Sequence, residues 1–452
     1  CLLCPSACGM VGRVVDGRLV KLEGNPIHPI NLGALCPKGQ AALELIYNPD
    51  RVQSPMRRVG ERGSGQWEPI SWDDALQTTA SPFGIAARLQ KLRAAGQPER
   101  FAFLYGEARG QMRPLIERFT AALGSPNAIS HDSLNVEATQ LAFWLTQGIY
   151  DLPAYDLENS RYLLAFGANL LEGGPNPQRM ITGYSYGRQG TPNRSKVVYI
   201  DPRQGITGAK ANEWIPINPG TDGALALGMA HVIIRSGLFD ADFARNYAFG
   251  FDDFNDENGK TVRGFKSLVL KEYDPERVEK ITGVPAGTIA RIAGEFATSK
   301  PAVAILPGKG GLLNGSVNGL YTAMAILALN ALVGSIESPG GILVQRYPEC
   351  VPMPQLASDP VAAKGRQVER LDGAGKVYPL ARHAYQSVAD RLLGGYALDT
   401  LFLYDANPLF ECPGDPQRWR DALDKVGLVV SFSSFIDESA AYADLILPEP
   451  TF

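Results

Sequence analysis

Residues 1–8 read CLLCPSAC and residues 36–39 read CPKG, placing four cysteines, Cys1, Cys4, Cys8 and Cys36, in the spacing C-x2-C-x3-C-x27-C. Three thiolates on one short loop can wrap three corners of an iron–sulfur cube, and a distant fourth closes it. A structural zinc site pairs its cysteines in two C-x2–4-C knuckles, and Cys36 has no such neighbour. Disulfides are the third reading of a cysteine cluster. The spacing favours one 4Fe-4S cluster and leaves the other two open. Between the ligands, residues 12–20 (GRVVDGRLV) predict a hairpin turning at Asp16 and Gly17, and residues 24–26 (GNP) predict a second turn. A small β-rich lobe of this kind returns Cys36 to the first loop. Lys38 follows the last cysteine closely. A cation there stabilises negative charge added to a cluster, the alternative being a solvated surface lysine.

Outward from this lobe the chain is long, 452 residues, and expected to hold more than one domain. Hydrophobic residues make up 45% and charged residues 20%, values of a globular rather than a disordered chain. The net charge of -4 and the lack of a long basic run remove the electrostatic basis for binding nucleic acid. Residues 321–333 (YTAMAILALNALV) form the strongest apolar run, too short to span a bilayer, so they predict a buried helix and no direct membrane span. The chain opens on Cys1 and stops at Phe452 just after a strand and a turn, and sequence is expected beyond both ends. Cys350 and Cys412 read as buried thiols or a disulfide.

Apolar runs of strand length occur at 101–105 (FAFLY), 162–166 (YLLAF), 196–200 (KVVYI), 302–306 (AVAIL), 401–404 (LFLY), 428–432 (LVVSF) and 445–447 (LIL). They alternate with helical patterns at 111–122, 135–145, 222–234 and 320–332, which is the signature of parallel α/β sheets. Residues 349–378, rich in proline and charge, predict an irregular excursion. The expected fold class is multidomain α/β: a cluster domain at 1–50, a discontinuous first α/β domain at 51–125 and 301–452, and a dinucleotide-binding-like second domain at 126–300. Both α/β domains are expected to be Rossmann-like. Ligands of such sheets bind at strand ends. The candidates there are Gly167, Asn169, Glu172 and Asp201, then Gly220, Thr221 and Asp222 opening a helix, and Gly308, Lys309, Asn407, Ser433 and Ser434. None completes a P-loop or a G-x-G-x-x-G fingerprint. As a set they fit a nucleotide-like ligand lying across two sheets, with ordinary turn chemistry the alternative at each.

With these residues in view, the chain resembles the molybdopterin (bis-guanine-dinucleotide, bis-MGD) oxidoreductases, in the polysulfide and thiosulfate reductase-like branch. The resemblance runs from Cys1 to Phe452. It rests on the four-cysteine motif with CPKG at 36–39, YNPDR at 47–51 followed by Pro55 and Met56, and Trp67 and Pro69 with SWDDA at 71–75. It rests also on Asp201–Pro202–Arg203, PGTDGA at 219–224, Asn407–Pro408 and ADLILP at 443–448.

The resemblance implies that Cys1, Cys4, Cys8 and Cys36 ligate the 4Fe-4S cluster and that Lys38 is the electron-transfer lysine between cluster and pterin. It implies one dinucleotide region at Gly167, Asn169, Glu172, Asp201 and the Gly220–Thr221–Asp222 loop. A second is implied at Gly308, Lys309, Asn407, Ser433 and Ser434. The family's C-terminal β-barrel domain is expected to lie outside this chain. The departure is at the metal. In relatives a segment like 124–127 (GSPN) leads into His-x-Ser and then the Mo or W ligand, usually cysteine. Here His131, Ser133 and Asn135 occupy those places, and a neutral amide is a poor ligand beside dithiolenes. Asp132 and Ser133 are the nearby oxygen donors, and His131 is a candidate proton relay, a packing histidine being the alternative. The pattern resembles family members demoted from catalysis that serve membrane-bound menaquinone-dependent complexes. That implies an electron-transfer subunit on the periplasmic side of the membrane. Its partners would be a ferredoxin-like iron–sulfur subunit, an integral quinone-interacting subunit and a multihaem cytochrome c. The competing expectation is a catalytic bis-MGD reductase with Mo or W.

Overall fold

Strands buried on both faces carry unbroken apolar runs rather than alternating ones, and the runs at Phe101–Tyr105 and Tyr162–Phe166 are buried at every residue. Each becomes an inner strand of a parallel sheet in the computed structural model, which describes all residues except 5, 78–83, 175, 190–193, 308–317, 348, 358 and 452. The chain divides into two units, one of Cys1–Leu134 with Glu349–Phe452 and one of Asn135–Pro348.

The first unit holds a seven-stranded sheet. From edge to edge it runs Trp67–Pro69, Met56–Arg58, Leu445–Leu447, Leu428–Phe432, Thr400–Tyr404, Phe101–Tyr105 and Ala128–Ser130. The first two strands are antiparallel to their inner neighbours, and the other pairs are parallel. Crossovers leave Phe101–Tyr105 and Thr400–Tyr404 in opposite directions, so the point where strand order reverses lies between them. Such a reversal opens a crevice beyond the carboxyl ends of the strands. The segment 349–378, expected to be irregular, contains one short helix, Pro360–Gly365. Its far end is pinned through Asn127, which is fully buried. Asn127 accepts from Leu371 N at 2.7 Å and donates to Glu99 O at 2.8 Å and to Tyr396 Oη at 3.1 Å.

The N-terminal lobe of this unit has the expected hairpin, Met10–Val15 against Arg18–Gly24, with Asp16 and Gly17 at positive φ in its turn. The helix Pro37–Tyr47 follows, with proline in its first turn, where a missing N–H costs nothing.

The second unit holds a four-stranded parallel sheet, Glu213–Ile215, Lys196–Ile200, Tyr162–Phe166 and Ala302–Ile305. Helices Asp222–Arg235, Ala286–Thr298 and Gly319–Leu332 bury apolar faces in its core. The helix expected at 321–333 is thus present, with Asn330 buried within it. Asn330 accepts from Ala304 N at 2.8 Å and donates to Ala304 O at 2.9 Å along the outer side of Ala302–Ile305. This corrects the sequence-based division. Residues 301–305 were assigned to the first α/β domain, but Ala302–Ile305 pairs with Tyr162–Phe166 and belongs to the second sheet. Chain order does not encode which parallel strand lies beside which. No helix among the described residues is long and apolar enough to cross a membrane.

Candidate functional site

None of the six cysteines is paired in a disulfide. Cys350 is exposed rather than buried, and Cys412 is half-buried. In the lobe, Cys8 is 5% exposed, while Cys1, Cys4 and Cys36 are half-buried. The backbone N of Cys1 lies 2.7 Å from Cys8 O, closing the first loop on itself. Burial, then the nearness of Cys4 and Cys36, pushes the Cys8 thiol above its ordinary value. A buried thiol crowded by other thiols in this way suits an iron cluster, whose cationic irons would remove the repulsion. Among the described residues no three His, Cys, Asp or Glu side chains converge as ligands of a single ion. A cube takes one thiolate at each corner rather than several at one point. Cys36 sits at the N-cap of Pro37–Tyr47, with extended backbone at ψ 167. The N–H ends of that first turn favour negative charge beside it. Lys38 is exposed in the same turn.

At the reversal point of the seven-stranded sheet, Gly106 N donates to Tyr404 O at 2.9 Å and Glu107 N to an Asp405 carboxylate oxygen at 3.0 Å. A Cβ on Gly106 would lie 1.6 Å from Asp405 O, so only glycine allows the two strand ends to close. The three candidates on this sheet are already committed within the unit. Asn407 donates to Glu438 at 2.6 Å and accepts from Ser439 Oγ at 2.6 Å. Ser433 Oγ donates to Phe435 O at 2.6 Å, and Ser434 Oγ to Glu449 O at 2.8 Å.

His131 follows the edge strand Ala128–Ser130 and is 8% exposed. Its Nδ1 lies 3.6 Å from Glu411 Oε2, an ion pair rather than a hydrogen bond. Burial alone would lower the imidazole, but Glu411, with Asp132 and Asp405, outweighs it and raises the proton affinity. Its Nε2 is buried without a partner among the described residues, as is Oη of Tyr385, whose ring lies 6.5 Å from the imidazole. Asn135 ends the short helix Asp132–Asn135. The two alternative oxygen donors are occupied: Asp132 accepts from Arg113 at 3.0 Å. Ser133 Oγ accepts from Tyr385 N at 3.0 Å and donates to Gln386 at 3.1 Å. No thiolate stands at this place: Asn135 offers an amide, and Asp132 and Ser133 are engaged by other partners.

The second unit gathers its candidates at strand ends. Tyr199 Oη lies 3.0 Å from both Asn169 Oδ1 and Asp201 Oδ2. Asp201 also accepts from Arg203 N at 2.7 Å. Gly167 turns at φ +52, and its backbone N donates to Ile200 O at 2.8 Å. Asn169, Glu172, Gly173, Arg203 and Gly205 line one groove. Glu172 accepts from Ile206 N through Oε1, while its Oε2 is buried without a partner among the described residues. An orphaned acceptor of this kind suits a hydroxyl or amine donor such as a nucleoside carries. Gly220 turns at φ +77, and Thr221 donates to Asn218 O at 2.7 Å ahead of the helix that Asp222 begins. Gly308 and Lys309 lie outside the described residues, although the strand before them belongs to this sheet and not to the first.

Asp222 carries a prediction of its own. Burial, with Asp201 adding to it, pushes this carboxyl from 3.8 up to about 6. The folded value exceeds the unfolded one, so the carboxylate destabilises the fold above about pH 6 and the penalty vanishes below about pH 4. Asp222→Asn is expected to stabilise the nucleotide-free protein by roughly 2 kcal/mol at pH 7.5 and by nothing at pH 4. Urea midpoints at the two pH values check it, and an unchanged midpoint at pH 7.5 refutes it.

Sequence reasoning missed Glu411, Tyr385, Gln386 and Arg113 around His131–Asn135. Glu411, Tyr385 and Gln386 lie in short segments with no period, and Arg113 lies in the helical pattern at 111–122, where nothing sets it apart from a solvated arginine.

The molybdopterin oxidoreductase family model matches residues 51–452, and the molybdopterin oxidoreductase Fe4S4 domain matches residues 1–48. Similar proteins include the arsenate respiratory reductase molybdopterin-containing subunit ArrA of Shewanella sp. (strain ANA-3), 31% identical over 99% of this chain and 54% of the relative. The thiosulfate reductase molybdopterin-containing subunit PhsA of Salmonella typhimurium is 31% identical over 100% of this chain and 57% of the relative. The menaquinone reductase molybdopterin-binding-like subunit of Nitratidesulfovibrio vulgaris is 30% identical over 99% of this chain and 57% of the relative. The chain thus spans little more than half the length of these relatives. Among solved structures, acetylene hydratase from Pelobacter acetylenicus superposes with a TM-score of 0.75 at 25% identity, covering 99% of this chain and 62% of that one.

Proposed function

Since the chain belongs to the molybdopterin oxidoreductase family and opens with its Fe4S4 domain, we propose that it is the iron–sulfur electron-transfer subunit of a membrane-associated menaquinone oxidoreductase complex, with a degenerate molybdopterin site. The reading rests on Asn135, which matches the family's metal-ligand position by resemblance, and is supported by Asp132 and Ser133 both being held by other partners. The cluster is held by Cys1, Cys4, Cys8 and Cys36 and supplies one-electron transfer, with Lys38 stabilising the added charge. Glu172, Asn169, Asp201, Gly167 and the Gly220–Asp222 turn would hold one guanine dinucleotide. Asn407, Ser433 and Ser434, at strand ends of the first unit, would have to exchange their present partners to hold a second. His131, its proton affinity raised by Glu411, would be the proton relay beside the site. The partners in this reading are a ferredoxin-like iron–sulfur subunit, a quinone-interacting membrane subunit and a multihaem cytochrome c, with the chain on the periplasmic face. The similarity to a menaquinone reductase subunit named as only molybdopterin-binding-like supports it.

A second reading, a catalytic Mo or W reductase of the polysulfide or thiosulfate type, is favoured by the equal similarity to the thiosulfate and arsenate reductase subunits. Metal analysis of the anaerobically purified complex, with extraction of pterin nucleotide, separates the two. The first reading expects the iron of one 4Fe-4S cluster for this subunit and no Mo or W. Near-stoichiometric Mo or W with two pterin nucleotides overturns it.

A further inference from the structure

We propose that Asn31 is a positioning residue that sets the separation of Cys8 and Cys36, and through it the retention and potential of the cluster. The inference rests on the lobe holding that cluster. Asn31 is fully buried, and its carboxamide bridges the two loops that carry the cysteines. Gly9, the residue after Cys8, donates its N–H to Asn31 Oδ1 at 2.9 Å. Asn31 Nδ2 donates back to Gly9 O at 3.0 Å and onward to Ala34 O at 2.7 Å, two residues before Cys36. Both Nδ2 hydrogens are thereby used, one on each loop.

Neither loop has room to slide away. Asn25 N donates to the same Gly9 O at 2.9 Å, and Gly33 N to Asn25 O at 3.0 Å. A Cβ on Gly9 would lie 2.6 Å from the His28 ring, so the Cys8 loop lies directly against the turn that carries Asn31. Ala34 N donates to Asn31 O at 2.7 Å, which fixes the amide relative to the Cys36 approach. Groups that hold ligands from behind govern both metal affinity and potential. For iron–sulfur clusters, hydrogen bonding and solvent access at the sulfurs set the potential. Asn31 acts on both through the backbone of Gly9 and Ala34.

The test uses the full-length protein, purified anaerobically, as Asn31→Ala, Asn31→Asp and, as control, Asn127→Ala. Asn127 is equally buried and multiply bonded within the same unit, but in a segment that carries no cysteine. Iron and acid-labile sulfide per chain, the EPR spectrum of the reduced cluster, its midpoint potential and the unfolding midpoint are measured for each. Asn31→Ala is expected to lose the larger part of its iron on gel filtration and to show a displaced potential in what remains. Asn31→Asp, which can accept from Gly9 N but donate to neither carbonyl, is expected to behave the same way. Asn127→Ala is expected to unfold earlier yet keep wild-type iron, spectrum and potential. Where Asn31→Ala does not fold, Asn31→Gln keeps every donor and acceptor one methylene displaced and is expected to shift the spectrum and potential. Wild-type iron, spectrum and potential in the folded Asn31 variants overturn the proposal, as does an equal loss of iron in Asn127→Ala. A wild-type protein without a 4Fe-4S cluster would instead defeat the reading of the lobe itself.

Discussion

Cys8→Ala is expected to leave the protein without its 4Fe-4S cluster, iron per chain falling from about four to below one. Cys8 is the most buried of the four cysteines and feels both Cys4 and Cys36 electrostatically. Removing it opens the cube on its least solvated side and leaves three half-buried thiols on two loops. Cys8→Ser is expected to lose nearly as much, because a hydroxyl is a hard, weakly acidic donor where iron–sulfur chemistry needs a soft thiolate. Cys350→Ser and Cys412→Ser set the baseline. The first is exposed, and the second has its thiol pushed up to about 12 by burial and then by Glu411. Neither is expected to change iron content. Iron and sulfide assays with EPR after reduction decide the matter. Retention of the cluster in Cys8→Ala would show that the C-x2-C-x3-C motif is not its ligand set.

The second large effect is on stability, at Asp444. This carboxylate is 3% exposed and gathers two arginines from the antiparallel edge of the seven-stranded sheet. Arg58 Nη2 reaches it at 2.6 Å, Arg62 Nη2 bonds its other oxygen, and Val429 N donates to it at 2.8 Å. Asp444→Ala leaves two guanidinium groups and an inner-strand N–H without their acceptor. Breaking a buried pair from one side costs about 3–5 kcal/mol, against a typical total stability of about 5–15 kcal/mol. Burial alone would raise this carboxyl, but Arg62, Val429 N and Arg58 outweigh it and hold it below its ordinary value of 3.8. Its contribution is therefore complete above about pH 4 and is lost as pH falls through the lower native value. Urea unfolding at pH 7 should show the deficit of the variant, and the gap to wild type should narrow toward pH 2. A gap independent of pH, or below about 1 kcal/mol, would mean that the cluster is a surface ion pair in effect.

The elements most legible in the sequence were those with a period or a run. The apolar runs at 101–105, 162–166, 196–200, 428–432 and 445–447 all became strands, because a strand covered on both faces is apolar nearly throughout, Lys196 and Ser431 being the exceptions. The hairpin was legible from Asp16 and Gly17, which are needed at positive φ. Strand order was not legible, and that is why Ala302–Ile305 was placed in the wrong sheet. Its apolar run suits either partner, and the choice is made by packing against helices such as Gly319–Leu332. In the candidate site the spacing of the cysteines pointed to an iron–sulfur domain, and the Fe4S4 domain match over residues 1–48 agrees. Asn31, Asn127 and Tyr385 were not legible. Their work is a bond from one side chain to a distant backbone or a distant loop, and such a bond leaves no periodic mark. Asn407, Ser433 and Ser434 illustrate the opposite case: position at a strand end suggested free donors, and local capping had already engaged them.

Asn330 limits how wide the second sheet can grow. The strand Ala302–Ile305 is outermost on its side, and an outer strand is an open template on which another chain can crystallise as an extra strand. The carboxamide of Asn330 imitates that extra strand at one residue, answering both the N–H and the C=O of Ala304, and Ser335 Oγ does the same for Ala302 O at 2.6 Å. A helix side chain thus serves as an end-stop for the sheet. An aliphatic residue, better suited to the apolar helix, would leave the buried N–H and C=O of Ala304 without partners, at about 1–3 kcal/mol for each.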